Sequence, residues 1–198
     1  DLALRHGVTV ISDEIHAPLT YADQSFVPWL AVSEAAREVG VVVTAASKSF
    51  NLAGLKASVI VTQSETMAAK ISAVEPAIHW RSGILGGFAM AEAYAGCDDW
   101  LGAAVAANRS NRDLLTRLVS EKLPGIPYWV PQGGYLAWLD LNTLQLGENP
   151  AARILTDHKI ALVPGSEHGP SYAQFVRINF ACSADSIHAV VAAIASYL

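Results

Sequence analysis

Cysteine is scarce in this chain. Its 198 residues include only Cys97 and Cys182, far apart and in no C-x-x-C or metal-ligand spacing, which excludes a disulfide framework and a zinc site of the usual kind. Positive charge is thin as well: 13 Lys and Arg against 18 Asp and Glu give a net charge of -5, with no basic block. A nucleic-acid surface depends on clustered cations and is not expected. No apolar run is long enough to cross a bilayer and no secretory leader is read from the sequence. Neither G-x-G-x-x-G nor G-x-x-x-x-G-K-[ST] occurs, so the common dinucleotide and nucleotide signatures are missing. Apolar material, by contrast, is plentiful. With 52% hydrophobic and 16% charged residues, the chain can fill one sizeable core, or a core and a satellite domain. A globular protein of a reducing cytoplasm is the expectation. Asp1 to Gly7 reads as the last turns of a helix capped by glycine, so the segment is expected to begin inside a domain.

Hydrophobic patterning gives an alternating architecture. Val8 to Ser12 and Val41 to Thr44 are β-branched runs consistent with strands buried on both faces, and Trp29 to Val39 between them has helical spacing with Gly40 as its stop. This is a β-α-β unit, in which both strands run parallel and ligands bind beyond their carboxyl ends. Ala57 to Thr62 reads as a third strand, reached by a short loop through Gly54 and Lys56 that would make it antiparallel. Helices are expected over Ser64 to Val74, Ile84 to Ala95 and Trp100 to Leu123, the last long enough to carry the chain into another domain. A boundary is placed within it, giving domains 1–109 and 110–198. The second has a strand at Tyr135 to Leu141, a helix at Ala151 to His158, short and long strands at Ala161 to Val163 and Phe175 to Phe180, and a closing helix from Ala184 to Tyr197. This is an α+β pattern.

Lys48 stands where an apolar strand gives way to a small, polar loop. An amine mounted on a buried strand end is held by the sheet, and apolar surroundings would favour its neutral, reactive form. Asp13 follows the carboxyl end of the neighbouring strand, so the topology carries both groups toward one crevice. An acid, a lysine and nearby small polar residues match what pyridoxal 5'-phosphate (PLP) needs: an amine to attach it, a carboxylate against its ring nitrogen and donors for its phosphate. Lys48, Asp13 and the pair Ser47 and Lys56 could supply these.

Four strings extend the match in order along the chain: Ser12-Asp13-Glu14-Ile15-His16, Ser47 to Lys56, Gly133 to Asp140, and Phe175-Val176-Arg177-Ile178-Asn179-Phe180-Ala181. Together they resemble the fold-type I, aminotransferase class I/II family of PLP enzymes, and within it the cystathionine β-lyase-like carbon-sulfur lyase branch. The resemblance implies an α/β fold, the C-terminal part of a large PLP-binding domain with a mostly parallel sheet, followed by a small α+β domain. It implies that Lys48 attaches the cofactor and then takes the substrate's α-proton, that Asp13 pairs with the ring nitrogen, and that Ser47 and Lys56 contact the phosphate. His16 stands where many aminotransferases carry a tyrosine near the phenolic oxygen, a substitution typical of the lyase branch. Arg177 would bind the substrate α-carboxylate, to which a planar guanidinium is suited. Ala45 departs from the pattern, being often a phosphate-contacting serine.

The implied activity is cleavage of the carbon-sulfur bond of cystathionine or a cysteine S-conjugate by β-elimination, in a cytoplasmic homodimer acting on a small amino acid. The family's phosphate-binding turn and stacking aromatic ring lie in a preceding half that this sequence does not contain, so this portion alone is expected to be inactive. Two other readings stand beside it: an aminotransferase using the same lysine, and a non-catalytic module that binds a partner or dimerises. Read singly, Asp13 is also a plausible turn residue, His16 a packed histidine, Lys56 a surface charge and Arg177 one half of an internal salt bridge.

Overall fold

The computed structural model describes residues 1–198, the side chain of His79 excepted. The chain divides into two compact units, Asp1–Ala104 and Val105–Leu198, and each has a three-stranded sheet.

The first unit opens with α1 (Leu2–Arg5) and reaches β1 (Val10–Asp13) through Gly7, whose φ of 62° suits a residue without a side chain. Helices α2 (Trp29–Val32) and α3 (Glu34–Val39) lead to β2 (Gly40–Thr44), then α4 (Ala46–Ser49) and β3 (Val59–Val61). Strand β2 pairs parallel with β1, placing Asp13 beside Val43, and antiparallel with β3, as the short loop through Gly54 and Lys56 suggested. The single helix expected between β1 and β2 is two. Ser33 is extended (φ -167°, ψ 170°) and its hydroxyl accepts the Ala36 N–H at 3.0 Å, capping α3. The unit continues through α5 (Glu65–Ser72), α6 (Pro76–His79) and α7 (Ile84–Gly96) into α8 (Asp98–Lys122).

The expectation that β1 is buried on both faces is not met. Its exposure alternates and Ile11 is 71% exposed, because none of the described residues covers that side of the strand. No helix among the described residues is long and apolar enough to cross a membrane.

In the second unit β4 (Leu136–Asp140) is followed by α9 (Pro150–His158), β5 (Val163–Pro164), β6 (Phe175–Asn179) and α10 (Ala184–Ala195). The sheet order is β4-β6-β5, all antiparallel. Period-two alternation sends Ala137 and Leu139 of β4, and Val176 and Ile178 of β6, into a core shared with Leu115, Leu118, Ile154, Ile187, Val191 and Ile194. The same alternation puts Trp138 and Arg177, directly opposite each other in register, on the other face.

Candidate active site

Strands β1 and β2 are adjacent and parallel, so their carboxyl ends open on the same edge of the sheet. Asp13 ends β1 and is exposed. One of its oxygens accepts the Ile15 N–H at 3.1 Å, a turn that fixes the carboxylate, while the other has no hydrogen-bond partner among the described residues. Glu14, next along, is structural: one carboxylate oxygen takes the Trp29 N–H at 2.7 Å and the Ser12 hydroxyl at 3.1 Å.

Beyond β2 the chain does not form the loop that the sequence suggested. It turns into α4, preceded by Ala45, which is buried and has no side chain to cap the helix. Helical spacing then decides which residues face inward. Ala46, Ser49 and Phe50 are buried, with Ala46 and Phe50 packed against Ala93 and Met90 of α7 and Phe50 stacked on Trp100 at 6.0 Å. Ser47 is left half-buried and Lys48 exposed. The expected burial of Lys48 is therefore corrected: positions 46, 49 and 50 use the inward face, and the lysine occupies the outward one. Its amine has no ion pair or hydrogen bond among the described residues.

His16 registers both groups. Its pKa is lowered by burial and by the positive charge of Lys48, and raised in opposition by the carboxylate of Asp13. The charges of Lys48 and Asp13 thus oppose each other at this imidazole, and no ion pair joins the two among the described residues. Below about pH 6.5 the unfolded chain takes up this proton more readily than the folded one. Stability associated with His16 is therefore present above that value and declines as the pH falls toward the folded pKa. An NMR titration of His16 should move upward in Lys48→Met, which removes a repelling charge, and downward in Asp13→Asn, which removes an attracting one. No movement in either variant would mean that the three groups do not share a locality.

Lys56 is exposed and left-handed (φ 54°), and ends the 3₁₀ turn Ala53–Leu55. Its loop is set against α7. The Gly83 N–H donates to the Lys56 carbonyl at 3.2 Å, and a Cβ on Gly86 would press into the Leu55 carbonyl oxygen. No hydrogen bond or ion pair among the described residues joins Lys56 to Ser47, Lys48 or Asp13.

Arg177 belongs to the second unit. The internal salt bridge weighed for it is not what its surroundings provide. Its Nη1 contacts Nε2 of His168 at 3.0 Å, and its buried Nε has no partner. An unmatched buried donor on a cation costs about 1–3 kcal/mol or more, a cost relieved by an anionic ligand. His168, whose ring meets Trp138, was not singled out by the sequence. The signal available was the strand alternation that places Trp138 opposite Arg177. No group of three or more His, Cys, Asp or Glu able to hold a metal occurs among the described residues.

A parallel sheet edge carrying an unpaired lysine and a carboxylate defines a class of protein that the comparisons resolve. The model of the aminotransferase class I and II family matches residues 1–194, and the chain belongs to that family. A protein of Mycobacterium leprae (strain TN), provisionally named a cystathionine β-lyase, is 38% identical over 196 residues, covering 92% of this chain and 48% of its own. The cystathionine β-lyase PatB of Bacillus subtilis (strain 168) is 34% identical over 190 residues, with 92% and 48% covered. A solved structure from Corynebacterium diphtheriae, provisionally named a PLP-dependent β-cystathionase, superposes with a TM-score of 0.92 at 32% identity, covering 99% of this chain and 52% of that one. The fold is accordingly that of a PLP-dependent aminotransferase-type α/β protein. The chain spans about half the length of the curated relatives it matches.

Proposed function

We propose that this chain forms part of a PLP-dependent carbon-sulfur lyase acting on cystathionine or a related cysteine S-conjugate. The observation that carries the reading is the placement of Asp13 and Lys48 just beyond the carboxyl ends of the adjacent parallel strands β1 and β2. The donor set fits the cofactor: an unpaired amine, a carboxylate with one oxygen free of hydrogen bonds, and a half-buried hydroxyl at Ser47 beside the amine. When bound, PLP supplies an electron-withdrawing ring that stabilises negative charge at the substrate's α-carbon.

Lys48 would hold the cofactor and, once released from it, take the α-proton on Nζ. Asp13 would stand against the ring nitrogen and keep its proton in place by charge. His16, held neutral by burial and by Lys48, would offer an uncharged contact near the phenolic oxygen. Ser47 and Lys56 would hold the phosphate, and Arg177 the substrate carboxylate. With the α-proton removed, the thiolate leaves the β-carbon, and hydrolysis of the remaining fragment gives pyruvate and ammonia. Residues 1–109 serve in this reading as the C-terminal part of the cofactor-binding domain and 110–198 as the small domain of a cytoplasmic homodimer.

Product analysis of the full-length protein tests the assignment. A cysteine conjugate should yield pyruvate and free thiol in equal amounts with no keto-acid acceptor present. Strict dependence on an acceptor would assign an aminotransferase instead, the other activity that the matched family model covers.

A further inference from the structure

The contact between Arg177 and His168 constrains the chemistry of the imidazole. Arginine carries only donors, so at 3.0 Å the Nε2 of His168 must accept. His168 is then neutral with its proton on Nδ1, a form that no sequence signal specified. Among the described residues its ring has one aromatic neighbour. It meets Trp138 edge to face at 5.1 Å, and Trp138 in turn contacts Tyr172 at 5.8 Å and Phe175 at 5.4 Å. The turn that carries it, Gly165–His168, is held close to the sheet, because a Cβ on Gly165 would lie 2.7 Å from the Phe175 carbonyl oxygen. An exposed acceptor, held against Trp138, therefore faces a guanidinium whose own Nε is buried and unpartnered.

We propose that His168 is a positioning residue for carboxylate binding: its Nε2 accepts one Nη1–H of Arg177 and turns the guanidinium so that its remaining N–H groups are presented to the substrate carboxylate. This rests on the reading of Arg177 as the carboxylate receptor. A neutral acceptor orients the guanidinium without occupying it as a competing carboxylate would.

The full-length, cofactor-loaded protein is titrated calorimetrically with L-alanine and with L-alaninamide, which lacks the carboxylate. The ratio of their affinities isolates carboxylate recognition. In His168→Phe, which keeps a ring against Trp138 but has no acceptor, the preference for L-alanine should fall about tenfold. His168→Gln restores a neutral acceptor, so the preference should return. Long-range ¹⁵N–¹H NMR of the wild-type protein should show His168 protonated at Nδ1 and bare at Nε2. A proton on Nε2, or an unchanged preference in His168→Phe, would overturn the proposal. If the wild-type protein and Arg177→Ala show the same preference, the Arg177 reading has failed instead. A preference lost in Arg177→Ala but kept in His168→Phe leaves that reading intact and rejects the role of His168.

Discussion

Replacing Lys48 by alanine in the full-length protein is expected to lower turnover by about 10³-fold or more, the scale on which a positioned acid-base group contributes, with the fold unchanged. The two halves of this expectation come from the same local geometry. Lys48 is on the outward face of α4, while Ala46, Ser49 and Phe50 anchor that helix, and alanine is the best helix former. Steady-state turnover and far-UV circular dichroism measure the two halves separately. Lys48→Arg sharpens the test, because arginine keeps the positive charge but cannot become a neutral amine at working pH. It should be as inactive as alanine. Turnover near wild type in Lys48→Arg would show that position 48 supplies only charge, and the proton-transfer role would fall.

The second large effect is on stability. Phe180 is 0% exposed in the core of the second unit, and Phe180→Ala is expected to cost about 3–5 kcal/mol, comparable to much of a domain's stability. The residue is also a backbone junction. Its N–H donates to the Tyr135 carbonyl at 2.9 Å, and its carbonyl, like that of Cys182, accepts from the Asn111 side chain at 2.8 Å. The cavity would thus lie where the end of β6 is tied to α8. Urea unfolding should show a lower midpoint, with Phe180→Leu losing far less because most of the volume remains. Equal midpoints for wild type and Phe180→Ala would mean that the core does not depend on this ring.

Where one physical signal dominated, the sequence could be read closely. The β-branched run at 41–44 became β2 (Gly40–Thr44), and the long helical pattern at 100–123 became α8 (Asp98–Lys122). The parallel pairing of β1 and β2, which brings Asp13 and Lys48 to one edge, followed from the helical segment between them. Errors arose where short-range chemistry competed with periodicity. Ser33 was counted as one more helical position, although its hydroxyl serves better as a cap. The small residues around Lys48 suggested a loop, yet Ala46, Ser49 and Phe50 have the spacing of a single helical turn with one buried face. The Pro76–His79 turn was also missed, a proline at its first position being its one signal. His168 could not be found from spacing at all. Its partner is nine positions away, and their meeting depends on how the turn folds back on β6.

Gly86 gives this edge of the protein a property of its own. With only hydrogen at that position, α7 lies flush against the Leu55 carbonyl, and the strand of loop ending at Lys56 rests on it. The same helix grips α4 farther along, at Met90 and Ala93. A bulkier residue at 86 would press on the Leu55 carbonyl and so on the loop that ends at Lys56. If Lys56 holds an anion as proposed, its grip could be tuned through a helix that supplies no group to the site.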